Sequence, residues 1–70
     1  MEDKKILLTI ANNIKKIRKL NNMTQEELSN MSNVSIRHLQ KIESGTLNTT
    51  ILTLNKISCA LNIHISDLFK

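Results

Sequence analysis

Apolar residues recur along this chain at helical rather than strand spacing. Ile6, Ile10, Ile14 and Ile17 stand three or four residues apart, with Leu7 and Leu20 alongside, while Lys15, Lys16 and Lys19 take the other face. An apolar stripe of that period predicts an amphipathic helix over about residues 4–21, with Asp3 as its cap and Asn21-Asn22 as its end. Next, Thr24 and Glu27 have the spacing of a capping box, in which each side chain satisfies the other's exposed backbone N–H. Met23 and Leu28 flank it as a hydrophobic staple, so a second helix starts at Gln25. Ser32-Asn33 then breaks the pattern, and asparagine readily replaces glycine where a backbone turns left-handed.

Val34 and Ser35 open a third helix by the same device, Ser35 capping and Val34 stapling to Leu39. At about 100° per residue, Leu39 and Ile42 fall on one side and Ile36, Arg37, Gln40, Lys41 and Ser44 on the other. The segment is therefore half core and half polar face, and Gly45 is placed to terminate it. After the polar link Thr46 to Thr50, Ile51, Leu54, Ile57 and Leu61 share a face and predict a fourth helix ending near Asn62. A last turn from His64 to Phe69 carries Ile65, Leu68 and Phe69, with His64 in the cap position and Asp67 at the box spacing. The expected architecture is all-α, five short helices in one domain over residues 1–70, without repeat, low-complexity tract or linker.

Ten Lys and Arg against six Asp and Glu leave a net charge of +4, which favours a polyanionic partner. Phe69 is the only aromatic residue, so the stacking platforms of single-strand binders are missing and double-stranded DNA is the expected polyanion. Cys59, the one cysteine, excludes an internal disulfide and fits a reducing compartment, so a cytoplasmic location is expected. The run Ile6-Leu7-Leu8 stops at Thr9, too soon for a targeting segment, and no stretch approaches the roughly 18 apolar residues of a membrane span. Cys59 falls off the fourth apolar stripe with only Lys56 as a nearby cation, a poor setting for a redox switch. His38, Cys59 and His64 lack the close spacing of metal ligands. No nucleophile, base and orienting acid fall in a recognisable arrangement, and so short a helical bundle offers little room for a deep pocket. Neither enzymatic activity nor a cofactor, metal or small-molecule ligand is expected.

The run Met23-Thr24-Gln25-Glu26-Glu27-Leu28, then Asn33-Val34-Ser35, then Leu39-Gln40-Lys41-Ile42-Glu43-Ser44-Gly45 closely resembles the lambda-repressor/Cro (XRE) family of DNA-binding domains. The resemblance extends upstream to Arg18 and downstream to Ile51, Leu54, Leu61 and Leu68. It implies five helices, the second and third forming a helix-turn-helix and the third reading DNA. The family's base-reading positions correspond to Ile36, Arg37 and Lys41. Its helix-two glutamine corresponds to Gln25, which with Thr24 and the neighbouring backbone N–H groups would hold a phosphate at a positive helix end. Ser44, Thr46 and Asn48, at the end of the recognition helix and in the loop after it, would touch phosphate too. The matching arginine, Arg18, would form a structural ion pair with Glu43. Three positions depart from the family pattern: Asn33 stands for a frequent glycine, Ser29 for a small alanine and Thr49 for a frequent proline.

The residues carry the same reading on physical grounds. Two short helices joined by a tight turn can lay the second in the major groove while the first crosses the backbone. There Arg37 could pair bidentately with guanine, Lys41 could reach guanine or phosphate, Ile36 could pack on a thymine methyl, and Gln40 could donate to adenine or phosphate. The segment Leu47-Asn48-Thr49-Thr50-Ile51-Leu52-Thr53-Leu54 further resembles the controller proteins of restriction–modification systems, a short stand-alone branch of the family. In that branch the protein binds as a dimer upstream of its own gene and the endonuclease gene. A homodimer on a palindromic operator is accordingly expected, with Leu47, Ile63, Ile65, Leu68 and Phe69 as its contact. Alternatively, Phe69 closes the core and dimers form only on DNA. The competing function is a protein-binding adaptor of antitoxin or antirepressor type. Antitoxins normally add a partner-binding segment, whereas this sequence stops at Lys70, directly after its last expected helix.

Overall fold

The computed structural model describes residues 2–70 of the chain; Met1, part of the expected domain, lies outside them. Four α-helices follow in order, α1 Glu2–Leu20, α2 Gln25–Ser32, α3 Ile36–Glu43 and α4 Ile51–Ala60, and a 3-10 helix, Ile65–Phe69, closes the chain. The described residues contain no strand. The expected fifth α-helix is thus corrected to a single 3-10 turn, because five residues are too few to sustain an α-helical ladder and suit the tighter i to i+3 bonding.

The second and third helices begin as their caps dictate. Thr24 Oγ1 accepts from Glu27 N–H at 3.0 Å while Thr24 N–H donates to Glu27 Oε1 at 2.9 Å. Ser35 Oγ accepts from His38 N–H at 3.2 Å. At the last turn, Asp67 Oδ2 accepts from His64 N–H at 3.2 Å, but the imidazole makes no capping bond, so His64 caps through its backbone and not through its ring. Beside it, the Lys70 ammonium, 2.8 Å from Asp67 Oδ1, holds the Asp67 carboxyl below the usual carboxylate range.

Each α-helix is followed by a residue with left-handed backbone: Asn22 (φ 56°), Asn33 (φ 60°), Gly45 (φ 77°) and Asn62 (φ 59°). After α1 the reversal is closed by Met23 N–H to Arg18 O and Asn22 N–H to Lys19 O, and after α4 by Ile63 N–H to Ser58 O and Asn62 N–H to Cys59 O. That double bond pattern satisfies carbonyls the helix leaves open, which explains how a chain with one glycine makes its turns. Gly45 is the position where a side chain is hardest to fit, since an added Cβ would stand 2.7 Å from Leu8 Cδ2 in addition to the left-handed φ. Gly45→Ala is expected to lower stability by about 1–2 kcal/mol, readable as a lower Tm.

The core gathers Ile10 and Ile14 from α1, Leu28 from α2, Leu39 and Ile42 from α3, and Leu54 and Ile57 from α4, closed by Leu61 and Leu68. Asp3 lies inside the first turn of α1 and not at its cap. Ile6 and Leu20, expected on the inner stripe, are 52% and 71% exposed, because α1 is about 28 Å long at 1.5 Å per residue and overhangs its shorter neighbours. Ile51 is 63% exposed, being the first residue of α4 and at the margin of its inner face. Leu68, expected at a dimer contact, is fully buried in the core, where the 3-10 turn packs on α1; Asn13 Nδ2 fastens that turn by donating to Leu68 O at 2.9 Å and to Lys70 O at 3.2 Å.

The turn between α2 and α3 is fixed from inside. Buried Ser29 donates its hydroxyl to Val34 O at 2.5 Å, and buried Ser32 donates to Leu28 O at 2.7 Å while accepting from Val34 N–H at 3.3 Å. Ser29 therefore substitutes for the expected alanine without leaving a buried hydroxyl unpaired.

Candidate nucleic-acid interface

α3 turns two unlike faces outward and inward. Leu39, Ile42 and Glu43 are buried, while Ile36, Arg37, Gln40 and Lys41 stand in solvent. Residues four apart on a helix are neighbours, so Ile36 with Gln40 and Arg37 with Lys41 form one continuous strip. Ile36, the apolar member of the strip, is 39% exposed. Among the described residues, neither Arg37 nor Lys41 is paired with a carboxylate. The strip is a free positive surface on a helix whose diameter of about 10–12 Å fits the roughly 12 Å width of the B-DNA major groove.

Behind the strip sits a buried polar knot that fixes its attitude. Arg18 Nε and Nη2 donate to Glu43 Oε2 and Oε1 at 2.9 and 3.0 Å, both residues being under one-tenth exposed. Arg18 Nη1 also donates to Met23 O at 2.8 Å, and Gln25 Nε2 donates to Glu43 Oε1 at 3.1 Å. One carboxylate thus ties α1, α2 and α3 together. Gln25, a candidate phosphate contact, spends one amide hydrogen on Glu43 and stays half-buried; its second hydrogen remains for a ligand. At the same helix end Thr24 is exposed, and its hydroxyl accepts from Glu27 N–H while its own hydrogen stays free to donate.

The link after α3 carries the other candidates. Ser44 and Thr46 are exposed and joined, Oγ to Oγ1, at 2.7 Å, with Ser44 also donating to Lys41 O at 2.6 Å. Asn48 is exposed further on, beside Asp3, Ile6 and Leu7 at the start of α1, away from the Ser44–Thr46 pair. His38 Nε2 lies 2.9 Å from Thr49 Oγ1, fastening the link to α3 at the position where the related pattern often has proline. The only sequence signal for it was that missing proline. Disconnecting the link by His38→Ala or Thr49→Val is expected to cost about 0.5–1.5 kcal/mol of stability. It should also weaken duplex binding several-fold, and the double variant should lose little more than either single one.

The remaining candidates do not assemble into one surface. Leu47, Ile63 and Ile65 are half-buried against the core and Leu68 lies within it, leaving Phe69, 44% exposed, as the one dimer candidate clearly open to solvent. Among the described residues no three His, Cys, Asp or Glu side chains gather as metal ligands, and no helix is long and apolar enough to cross a membrane. Cys59 is exposed.

A helix-turn-helix family model, HTH_3, matches residues 14–68. The immunity repressor protein of Bacillus phage phi105 is 36% identical over 59 residues, covering 84% of this chain and 41% of that protein. Control protein C.MunI of a Mycoplasma species is 34% identical over 65 residues, covering 91% of this chain and 88% of the relative. Among solved structures, an HTH_3 family transcriptional regulator from Vibrio cholerae superposes with a TM-score of 0.90 at 33% identity, over 96% of this chain and 38% of the other. The restriction-modification controller protein C.AhdI from Aeromonas hydrophila shares the fold, with a TM-score of 0.86 at 24% identity over 90% of this chain and 96% of that one. The chain therefore spans about two-fifths of the phage repressor and of the Vibrio regulator, and most of each controller protein. A match across most of the chain, on the same α2-turn-α3 geometry, establishes that this protein belongs to the HTH_3 family of helix-turn-helix, lambda-repressor-like proteins.

Proposed function

We propose that residues 1–70 act as one cytoplasmic DNA-binding domain, a sequence-specific transcriptional regulator that lays α3 in the major groove and works by binding, not catalysis. The observation that carries this reading is the unpaired, solvent-facing strip Ile36, Arg37, Gln40 and Lys41 on a helix whose other side is locked into the core. Arg37 is the guanine reader, Lys41 reaches guanine or phosphate, Ile36 meets a thymine methyl and Gln40 an adenine or phosphate. Thr24 and Gln25 at the start of α2, with Ser44, Thr46 and Asn48 after α3, set the register on the phosphates. Arg18 and Glu43 hold the reading helix at its angle from within.

One short helix reads only a few base pairs, so the regulator binds as a homodimer on a palindromic operator with half-sites about one helical turn apart. The similarity to C.MunI, which extends over 91% of this chain, favours a regulator of the control-protein kind. The binding reading is tested by titrating salt. Affinity for duplex DNA should fall steeply, by orders of magnitude, between roughly 50 and 200 mM salt as displaced counterions are no longer gained. A protein-binding adaptor on the same fold would show no such duplex binding at the low end.

A further inference from the structure

The link that follows α3 lies against the first turns of α1. Lys4, Leu7 and Leu8 of α1 face Ser44, Gly45 and Thr46 across a notch of about 390 Å³. Leu8 packs over Gly45 and so brings helix and link together. Lys4 and Leu8 stand four residues apart and share one helix face, the face turned to the link. The aliphatic stem of Lys4 can therefore lie along half-exposed Leu8 while its ammonium stays in water at the edge of the notch.

The polar groups on the link side of the notch are already engaged. Ser44 donates its one hydroxyl hydrogen to Lys41 O at 2.6 Å, so at the 2.7 Å contact between the two hydroxyls Thr46 is the donor and Ser44 the acceptor. Gly45 N–H is likewise taken, by Ile42 O at 3.1 Å. Reaching a DNA phosphate would cost either hydroxyl its internal bond. The Lys4 ammonium meets an anion without such a loss, and with a full charge. Its place opposes its own helix: a cation in the first turn faces the positive end of the α1 dipole, so local helix stability does not account for it. Asp3, the acidic neighbour, lines a different depression beside Asn48 and not this notch.

We infer that Lys4 is a phosphate-binding residue of the DNA complex, holding the backbone where it passes the C-terminal end of α3 and making the start of α1 a contact element beyond the helix-turn-helix. The inference rests on the DNA-binding reading and deepens it. α3 ends at Glu43, immediately before the notch, so with α3 in the groove the strand bordering that groove runs past the residues that follow. Lys4 supplies there the charge that the neutral Ser44 and Thr46 lack, and it carries no sequence information.

Duplex binding by Lys4→Gln over a series of salt concentrations tests this. Lys4→Arg keeps the charge, and Lys56→Gln removes an exposed charge outside the notch as a control. One phosphate contact accounts for a slope of about 0.9 in log K against log salt. Lys4→Gln should therefore flatten the slope by about that much and weaken binding roughly five- to tenfold near 0.1 M salt, on the best site and on unrelated duplexes alike. Its Tm should stay at the wild-type value, since Lys4 is exposed. Lys4→Arg should bind as the wild type does, and Lys56→Gln should keep the wild-type slope. An unchanged slope in Lys4→Gln overturns the inference and leaves the regulator reading standing on the wild type's own binding; a lowered Tm beside it would give Lys4 the structural task of neutralising the negative end of α3. An equal loss in Lys56→Gln also overturns it, by making the effect one of net charge. A wild type that binds no duplex at any salt refutes the regulator reading, and this contact with it.

Discussion

Arg18→Ala should lower folding stability by about 3–5 kcal/mol, since removing one partner of a buried pair leaves the other charge without compensation. At roughly 4–8 °C per kcal/mol for a domain of this size, the melting temperature should drop by at least about 12 °C. The cause is specific: Glu43, 3% exposed, would retain only the Gln25 amide, and Met23 O would lose its donor. Duplex affinity should fall as well, because the same carboxylate sets α3 against α1 and α2. Exchanging both charges for apolar residues, Arg18→Met with Glu43→Leu, should recover much of the stability, since the loss comes from stranding a charge and not from breaking a strong bond. Thermal melts of the single and double variants measure this; an Arg18→Ala protein that melts like the wild type would remove the pair from the architecture.

Arg37→Ala should instead leave the melting temperature nearly unchanged and act on recognition. A bidentate arginine–guanine pair discriminates by about 1–3 kcal/mol, so affinity for the best site should fall roughly five- to 150-fold while binding to unrelated duplexes falls much less. Equilibrium binding to both kinds of duplex at one salt concentration separates the outcomes. Equal losses on every sequence, with the salt slope reduced by about one, would make Arg37 a phosphate clamp. The contrast between the two arginines is a direct product of burial, 8% exposed against open to solvent.

Features governed by neighbouring residues were legible in the sequence. The Thr24–Glu27 box, the Ser35 cap and the reversals at Asn22, Asn33, Gly45 and Asn62 need only a few consecutive residues, and all lie where their local chemistry puts them. Periodicity named the inward face of α3 correctly but over-extended those of α1 and α4. Spacing tells which side of a helix is apolar, not whether another element reaches its ends, so Ile6, Leu20 and Ile51 were assigned to a core that stops short of them. Leu68 failed in the opposite sense, an apolar residue near the terminus that the fold draws inside.

The polar interior was readable only where the family resemblance supplied it, as for Arg18 with Glu43. Gln25 joining that pair and His38 reaching Thr49 both depend on how separate elements pack, which no local pattern encodes. The exposed α4 face escaped for the same reason. Ile51 and Leu52 stand exposed at the start of α4, which only the packing of that helix reveals.

Methylation interference on a duplex selected from a random pool tests major-groove reading by α3 most directly. Guanine N7 lies in the major groove and adenine N3 in the minor, so each methylated position reports which groove the protein enters. Methyl groups at guanine N7 should block binding in two clusters about one helical turn apart, and Arg37→Ala should relieve the block at its own guanine. Interference confined to adenine N3, or none at any base, would contradict the placement of Ile36, Arg37, Gln40 and Lys41 in the groove.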